Sequence, residues 1–288
     1  MVTFICFALI QGCAATSGSP SSLSNLVIAE PIAVDYKSEI ALARLTEVLN
    51  RAEITDNQKA QLYYDRGVIY DSVGLRSLAR LDFNRALRLK PDLVEAYNFI
   101  GIHFTQLQEF NQAYDSFDSA LDLAPEHEYA YLNRGVALYY GGRPALAADD
   151  FSVFLSKQSD DPYRILWLYL AERKVNEKEA LIALKKRATS VNEQVWAKQV
   201  IQLYLGEISY NAFIDNLTVN VNSNRQLTER LCEAYFYLGK MHYDNDERDL
   251  AANYFKLALS TNVYEFVEHR YAKLELDLMR ESLPLQVD

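Results

Sequence analysis

The chain has 288 residues, half of them hydrophobic, and a net charge of −10. This length and apolar content allow a substantial core in one or two domains. The acidic balance, with no basic block, argues against nucleic acid and against electrostatic docking on anionic lipid. Of the three cysteines, only Cys232 lies in the body of the chain, so we expect neither a disulfide nor a metal or redox centre there.

The N-terminus has the pattern of an exported lipoprotein. Residues 2–10 are uncharged and mostly apolar. This run is shorter than the ~20 residues that a membrane-spanning helix needs. Its length is typical of the hydrophobic region of a signal peptide, which we assign to residues 1–12. The following Leu-Ile-Gln-Gly-Cys, ending at Cys13, resembles a bacterial lipobox. The resemblance implies acylation (palmitate included) of Cys13, and Ala14 implies an outer-membrane location facing the periplasm. No Lys or Arg precedes the run, so either the true start lies upstream of Met1 or the signal is weak. The alternative to a lipobox is a frayed terminus with a chance cysteine.

Residues 13–35 follow as a lipidated cysteine and a tether. Residues 14–35 contain five serines, two prolines and a glycine, a composition typical of flexible linkers. Fully extended, this stretch reaches roughly 70 Å. The next segment, 36–59, contains an amphipathic helix ahead of the repeats.

A 34-residue repeat occupies residues 60–161. Gly67, Gly101 and Gly135 recur at this interval. Around each glycine lie an aromatic four residues before, an alanine twelve after and a phenylalanine sixteen after: Tyr63, Ala79, Phe83; Tyr97, Ala113, Phe117; Tyr131, Ala147, Phe151. This is the tetratricopeptide-repeat (TPR) pattern, in which two helices approach closely at the small residues and units stack into a solenoid.

The later chain continues the pattern with more divergence. Residues 232–265 hold a fourth unit around Gly239, and 162–231 have the length of two diverged helical pairs. Residues 266–288 form a C-terminal helix and tail, which either cap the solenoid or pair with another chain. The predicted fold is an all-α TPR helical-hairpin solenoid with flanking N- and C-terminal helices.

Three local motifs predict where helices begin. Thr55-x-x-Gln58 and Asp92-x-x-Glu95 have the form of capping boxes. Asp161 followed by Pro162 is typical of an N-cap with proline in the first helical position.

Four stretches go beyond the general TPR pattern. They begin at Arg66 (Arg-Gly-Val-Ile-Tyr-Asp-Ser-Val-Gly), Asn133 (Asn-Arg-Gly-Val-Ala-Leu-Tyr-Tyr), Asp161 (Asp-Pro-Tyr-Arg-Ile-Leu-Trp) and Phe266 (Phe-Val-Glu-His-Arg-Tyr-Ala). Together they resemble the NlpI family, outer-membrane TPR lipoproteins of gammaproteobacteria. The resemblance implies a homodimeric adaptor that presents a murein endopeptidase (MepS-type) to a periplasmic tail-specific protease (Prc-type) and gathers other peptidoglycan hydrolases.

No motif in the sequence indicates catalysis or a cofactor. The four histidines are far apart, and neither a nucleophile motif nor a phosphate-binding loop is present. We read His242 as a core residue and His269 as a surface contact or a cap. We therefore expect no enzyme activity, no metal and no cofactor. The alternatives are a TPR lipoprotein that assembles an outer-membrane or pilus complex and a peptidoglycan-cleaving or proteolytic enzyme.

The first helix of each TPR unit lines the concave groove, so we predict that this face binds partners. It contains no Lys or Arg, and apolar burial, at about 25 cal/mol per Å², should dominate binding there. We expect an apolar or aromatic segment, or a helix, in this groove; the alternative is that the protein's own C-terminal helix fills it. The predicted groove residues are Gln61, Tyr64, Val68, Asp71, Glu95, Asn98, Ile102, Thr105, Tyr129, Leu132, Val136 and Tyr139.

Overall fold

A computed structural model describes residues 26–50 and 53–281. In these residues the secondary structure consists of fourteen α-helices, without strands. The helices are α1 Tyr36–Leu49, α2 Asp56–Ser72, α3 Arg76–Leu89, α4 Val94–Gln106, α5 Phe110–Leu123, α6 Glu128–Tyr140, α7 Pro144–Lys157, α8 Pro162–Val175, α9 Glu177–Ala188, α10 Lys198–Tyr204, α11 Tyr210–Asn216, α12 Asn224–Asp244, α13 Arg248–Ser260 and α14 Val267–Glu281.

Four helical hairpins share one packing device. Each repeat glycine lies in the first helix of its pair, and the ring of a fully buried phenylalanine from the second helix lies directly on it. A Cβ added to any of these glycines would lie 2.6–2.7 Å from the ring, closer than side chains approach one another. The glycine therefore sets how closely the helices pack. The four contacts are Gly67–Phe83, Gly101–Phe117, Gly135–Phe151 and Gly239–Phe255.

The interval between the third and fourth hairpins contains α8 to α11 and the start of α12. The helices α8 and α9 form a full-length pair, whereas α10 and α11 have seven residues each. The helix α12 begins at Asn224, eight residues ahead of the boundary predicted at 232, and runs for 21 residues. Ser223 caps it by accepting a hydrogen bond from the backbone N–H of Gln226 at 3.1 Å.

Two of the three predicted helix starts are correct. The Thr55–Gln58 capping box is present in both directions, and Asp161 accepts hydrogen bonds from the backbone of the first turn of α8. The box predicted at Asp92 is wrong, because the N-cap of α4 is Leu93 and no side chain caps that helix. The helix starts one residue later than the motif requires, which takes Asp92 out of register.

Residues 26–35, predicted as part of the tether, lie against the fourth hairpin. The backbone N–H of Ile32 donates to the Thr261 carbonyl at 2.9 Å, and Thr228 donates its hydroxyl to the Glu30 carbonyl at 2.9 Å. This part of the chain is therefore bound to the fold rather than free. Cys13, the signal peptide and the rest of the tether lie outside the described residues. Among the described helices, none is long and apolar enough to cross a membrane.

The last described helix lies close to the first repeat. The helix α14 packs on α12 and α13 and also reaches α4. Just before it, the ring of Tyr264 lies against Gly74 at the α2–α3 turn; a Cβ there would be 2.9 Å from the ring, and Gly74 has a φ of +80°. The start of α14 and the residues just before it thus contact the first repeat.

Candidate functional site: the concave face and the C-terminal helix

The predicted groove residues separate by burial. Those near the beginnings of the first helices are reachable, and Tyr129 is 52% exposed. Those nearer the middle and end of these helices are covered, so they offer no surface in this arrangement. Gln61, Glu95 and Tyr129 are exposed; Tyr64 and Val68 are partly buried; Asp71, Asn98, Ile102, Thr105, Leu132, Val136 and Tyr139 are buried. Partner binding at all these positions stays a prediction.

The helix α14 covers part of the concave face through an ion network at Asp71. Arg270 of α14 lies 2.6 Å from one Asp71 carboxylate oxygen, and His103 lies 2.8 Å from the other. Burial alone would raise the pKa of Asp71, but the hydrogen bond from His103 and the charge of Arg270 outweigh it and lower the pKa. Burial lowers the pKa of His103. The charged Asp71 therefore binds the neutral imidazole of His103 and the guanidinium of Arg270, which lies 199 residues away along the chain.

A second buried contact holds the middle of α14. Lys240 of α12 and Tyr140 of α6 both donate to Glu275, at 2.5 and 2.8 Å. The Tyr140 ring stacks on Tyr271 of α14 with centroids 5.5 Å apart. Burial opposes the charge of Lys240, but the carboxylate of Glu275 outweighs this and raises the lysine's pKa. The helix is thus fixed by buried charge pairs at two points.

The four histidines all make contacts within the fold. His127 accepts a hydrogen bond from the backbone N–H of Ala130 and caps α6. His242 is buried, as predicted, and its ring stacks on Tyr254 at 5.3 Å. His269 is 3% exposed, which contradicts the surface-contact alternative, but it lies 3.1 Å from the Leu259 carbonyl in the last turn of α13, which agrees with the cap alternative. Among the described residues, no three His, Cys, Asp or Glu side chains form a group that could hold a metal ion.

A basic cavity of about 550 Å³ opens where α3, α4 and α14 meet. Its cations come from the second helix of the first repeat and from α14, which is why an inspection of the first helices alone missed it. Apolar side chains of Leu107 and Leu274 also line it. The charged lining residues are Arg76, Arg80, Arg270, Lys273, Asp277, Arg280 and Glu281.

A second cavity, of about 280 Å³, lies on the other side of the start of α14. It includes the predicted groove residues Tyr129 and Leu132 and the aromatic rings of Phe154, Tyr163, Trp167 and Phe266. Its charged lining consists of four carboxyl groups, those of Asp161, Glu233, Glu265 and Glu268, and one cation, Arg164. Burial, together with the charge of Glu268, raises the pKa of Glu233 to about 8. Burial raises the pKa of Glu268 to about 7.

These carboxyl groups make stability depend on pH. Their folded-state pKa values lie above the ~4.3 of an unfolded glutamate, so the folded protein retains protons that the unfolded chain releases. The two protonated carboxyl groups contribute fully to the free energy of unfolding below about pH 4, and this contribution is lost as the pH rises through 7 and 8. Between pH 5 and 8.5 the free energy of unfolding should fall in the unsubstituted protein. In the Glu233→Gln variant this fall should be about 1–3 kcal/mol smaller. Urea unfolding at both pH values tests this, with the exposed Glu207→Gln as control; parallel losses in all three proteins would contradict it.

Comparison with known proteins supports the fold. The tetratricopeptide-repeat family model matches residues 60–93. A tetratricopeptide-repeat protein from Parabacteroides merdae has a similar structure (TM-score 0.51, 17% identity, covering 85% of this chain and 100% of that one). Two further similar structures are of MamA. One covers 55% of this chain and 96% of its own (TM-score 0.48, 21% identity). The other, residues 41 to the end of MamA from Desulfovibrio magneticus, covers 73% of this chain and 99% of its own (TM-score 0.44, 17% identity). With its four glycine–phenylalanine hairpins, the chain is an all-α TPR solenoid.

Proposed function

We propose that this protein is a non-catalytic TPR adaptor, anchored by an acylated Cys13 in the outer membrane and facing the periplasm. In this role, a homodimer presents a MepS-type murein endopeptidase to a Prc-type tail-specific protease and gathers other peptidoglycan hydrolases. The observation that carries the adaptor part is a TPR solenoid with two open cavities of unlike charge beside α14. The choice of partners is supported by the resemblance of the four quoted stretches to the NlpI family.

A reconstituted degradation assay tests the proposal. The bait is the soluble form from Ser17 onward, with the tail-specific protease and the endopeptidase as partners. We expect the bait to capture both and to shorten the lifetime of the endopeptidase. If it captures neither, the choice of partners fails, and the assembly-factor alternative is pursued by co-purification from envelope extracts. Cleavage of peptidoglycan in a zymogram by the purified protein would contradict a non-catalytic role.

A single exposed aromatic gives a sharper test of the concave surface. Tyr129 stands over the aromatic cavity and is 52% exposed. Because the few interface residues that carry most of the binding energy are enriched in tyrosine, we expect Tyr129→Ala to weaken capture of at least one partner about tenfold. The matched control is Leu146→Ala, an apolar side chain with 51% exposure on α7, the second helix of the same hairpin. Equal affinities of the two variants for both partners would exclude this cavity as the contact.

A further inference from the structure

We propose that the basic cavity between α3, α4 and α14 binds an acidic segment of a partner protein through its carboxylates. The inference rests on the proposed adaptor function for the class of ligand, a protein. It specifies the cavity that binds this ligand and the charged side chains that contact it. It also differs from the expectation that apolar burial dominates recognition, because α3 and α14 bring cations that the predicted groove face of the first helices does not have.

The cavity is a positively charged site in an acidic protein. Five cationic side chains line it against two carboxylates, although the whole chain carries a net charge of −10. Lys273 and Arg280 both form ion pairs with Asp277, at 2.6 and 3.1 Å. Arg270 forms an ion pair with Asp71, which is not one of the lining residues. The two remaining cations, Arg76 and Arg80, form no ion pair with any residue in the described part of the chain. Asp71 attracts Arg76 without forming an ion pair with it, so Arg80 and, in part, Arg76 have positive charge available to a ligand.

These two arginines have the geometry of an anion site. They lie four residues apart, so they share one face of the first turns of α3. The helix begins at Arg76 without a side-chain cap, which leaves backbone N–H groups and the positive end of the helix dipole at the same place. Burial lowers the pKa of Arg76. A carboxylate here would pair with a partly desolvated cation, where ion pairs are stronger than at an open surface.

The shape and the remaining polar groups favour a peptide over a small anion. A volume of about 550 Å³ accommodates several side chains, and cations stand on two walls, α3 and α14. Leu107, which is 50% exposed, supplies apolar surface between them. The lining residues His103 and Gln106 each keep a buried nitrogen, Nδ1 and Nε2, without a hydrogen-bond partner among the described residues. Spaced carboxylates on a chain with its own apolar and amide groups match this combination.

Fluorescence anisotropy with defined peptides tests the inference on the full-length protein in nonionic detergent. The probes are fluorescein-labelled peptides of four Asp-Ala, four Asn-Ala or four Lys-Ala units, at low and moderate salt. We expect only the Asp-Ala peptide to bind, more weakly as salt rises. The Arg76→Gln/Arg80→Gln variant should bind it about a hundredfold more weakly, about tenfold for each charged partner lost. The control Arg88→Gln/Lys90→Gln removes two positive charges at the far end of α3, outside the cavity, and should bind normally.

A variant that gains affinity separates ligand binding from damage to the fold. Asp277→Asn frees Lys273 and Arg280 from their shared carboxylate. It should strengthen binding of the Asp-Ala peptide roughly two- to fivefold, the range expected for exposed ion pairs. Misfolding would not produce a gain.

Three results would overturn the inference. These are equal binding of all three peptides, equal loss in the cavity variant and its control, and binding of phosphatidylglycerol, mixed into the detergent micelles, through Arg76 and Arg80 in place of the acidic peptide. The assay contains neither protease nor endopeptidase, so its outcome is independent of the degradation assay. Peptide binding with failed degradation would leave the cavity a protein-binding site and reject only the proposed partners.

Discussion

Replacing Lys240 with methionine is expected to lower the free energy of unfolding by about 3–5 kcal/mol, the range for breaking a buried ion pair from one side. Lys240 is 2% exposed and donates to Glu275, which is itself buried at 4%. Methionine fills a similar volume but leaves the carboxylate of Glu275 with the hydroxyl of Tyr140 and without its ion-pair partner, since the more distant Lys174 forms no ion pair with it. The change should therefore weaken the contact between α14 and α12 directly.

The double variant Lys240→Met/Glu275→Gln is the control. Glutamine is uncharged and still accepts the hydrogen bond from Tyr140, so most of the lost stability should return. Urea unfolding followed by circular dichroism measures the free energies, and amide hydrogen exchange reports whether α14 is the element that opens. Equal destabilisation by the single and double variants would show that the charge pair is not the cause. Hydrogen exchange unchanged in α14 would show that the pair does not hold this helix.

The loss of α14 contacts has a consequence for both cavities. The basic cavity takes Arg270, Lys273 and Arg280 from α14, and the aromatic cavity takes Val267 and Glu268 from its first turn. Both proposed ligand surfaces thus depend on one helix held by buried charge pairs. The same variant should then weaken binding at both cavities, whereas Tyr129→Ala and Arg76→Gln/Arg80→Gln each affect one.

The repeats were predictable from sequence because their determinants are local. A glycine and a phenylalanine sixteen residues later belong to one hairpin, and the same pair recurs every 34 residues. The caps at Thr55 and Asp161 are likewise set by residues two or three positions away. Patterns of this range are visible in one sequence without knowledge of the tertiary structure.

The position of α14 was not predictable in the same way. An amphipathic pattern shows that a helix has a buried face, but it does not show which surface covers that face. Arg270 meets Asp71 across 199 residues, and Gln108 meets Glu281 across 173. No periodicity links such positions, so the sequence left open whether the groove is free or filled by this helix. In the structure, α14 covers its inner part and creates the basic cavity at its edge.

Substitutions at Gly101 and Phe117 test the packing device of the repeats, and the sign of one effect should depend on the other. Phe117 is fully buried, so Phe117→Ala should cost about 3–5 kcal/mol through lost burial and a cavity. Gly101→Ala alone should cost about 1–2 kcal/mol, because its methyl group would lie 2.6 Å from the Phe117 ring and the overpacking exceeds the gain in helix propensity. In the Phe117→Ala background the ring is absent. There, Gly101→Ala should stabilise by up to about 1 kcal/mol, since only the propensity gain remains.

Urea unfolding of the four proteins completes this double-mutant cycle. A coupling energy of about 2 kcal/mol between the two positions is expected, because the contact between ring and Cβ exists only when both are present. If Gly101→Ala costs the same in both backgrounds, the glycine is required for a reason other than the ring. If it stabilises the unsubstituted protein, the helices have room to separate, and the close approach does not limit the packing of the hairpin.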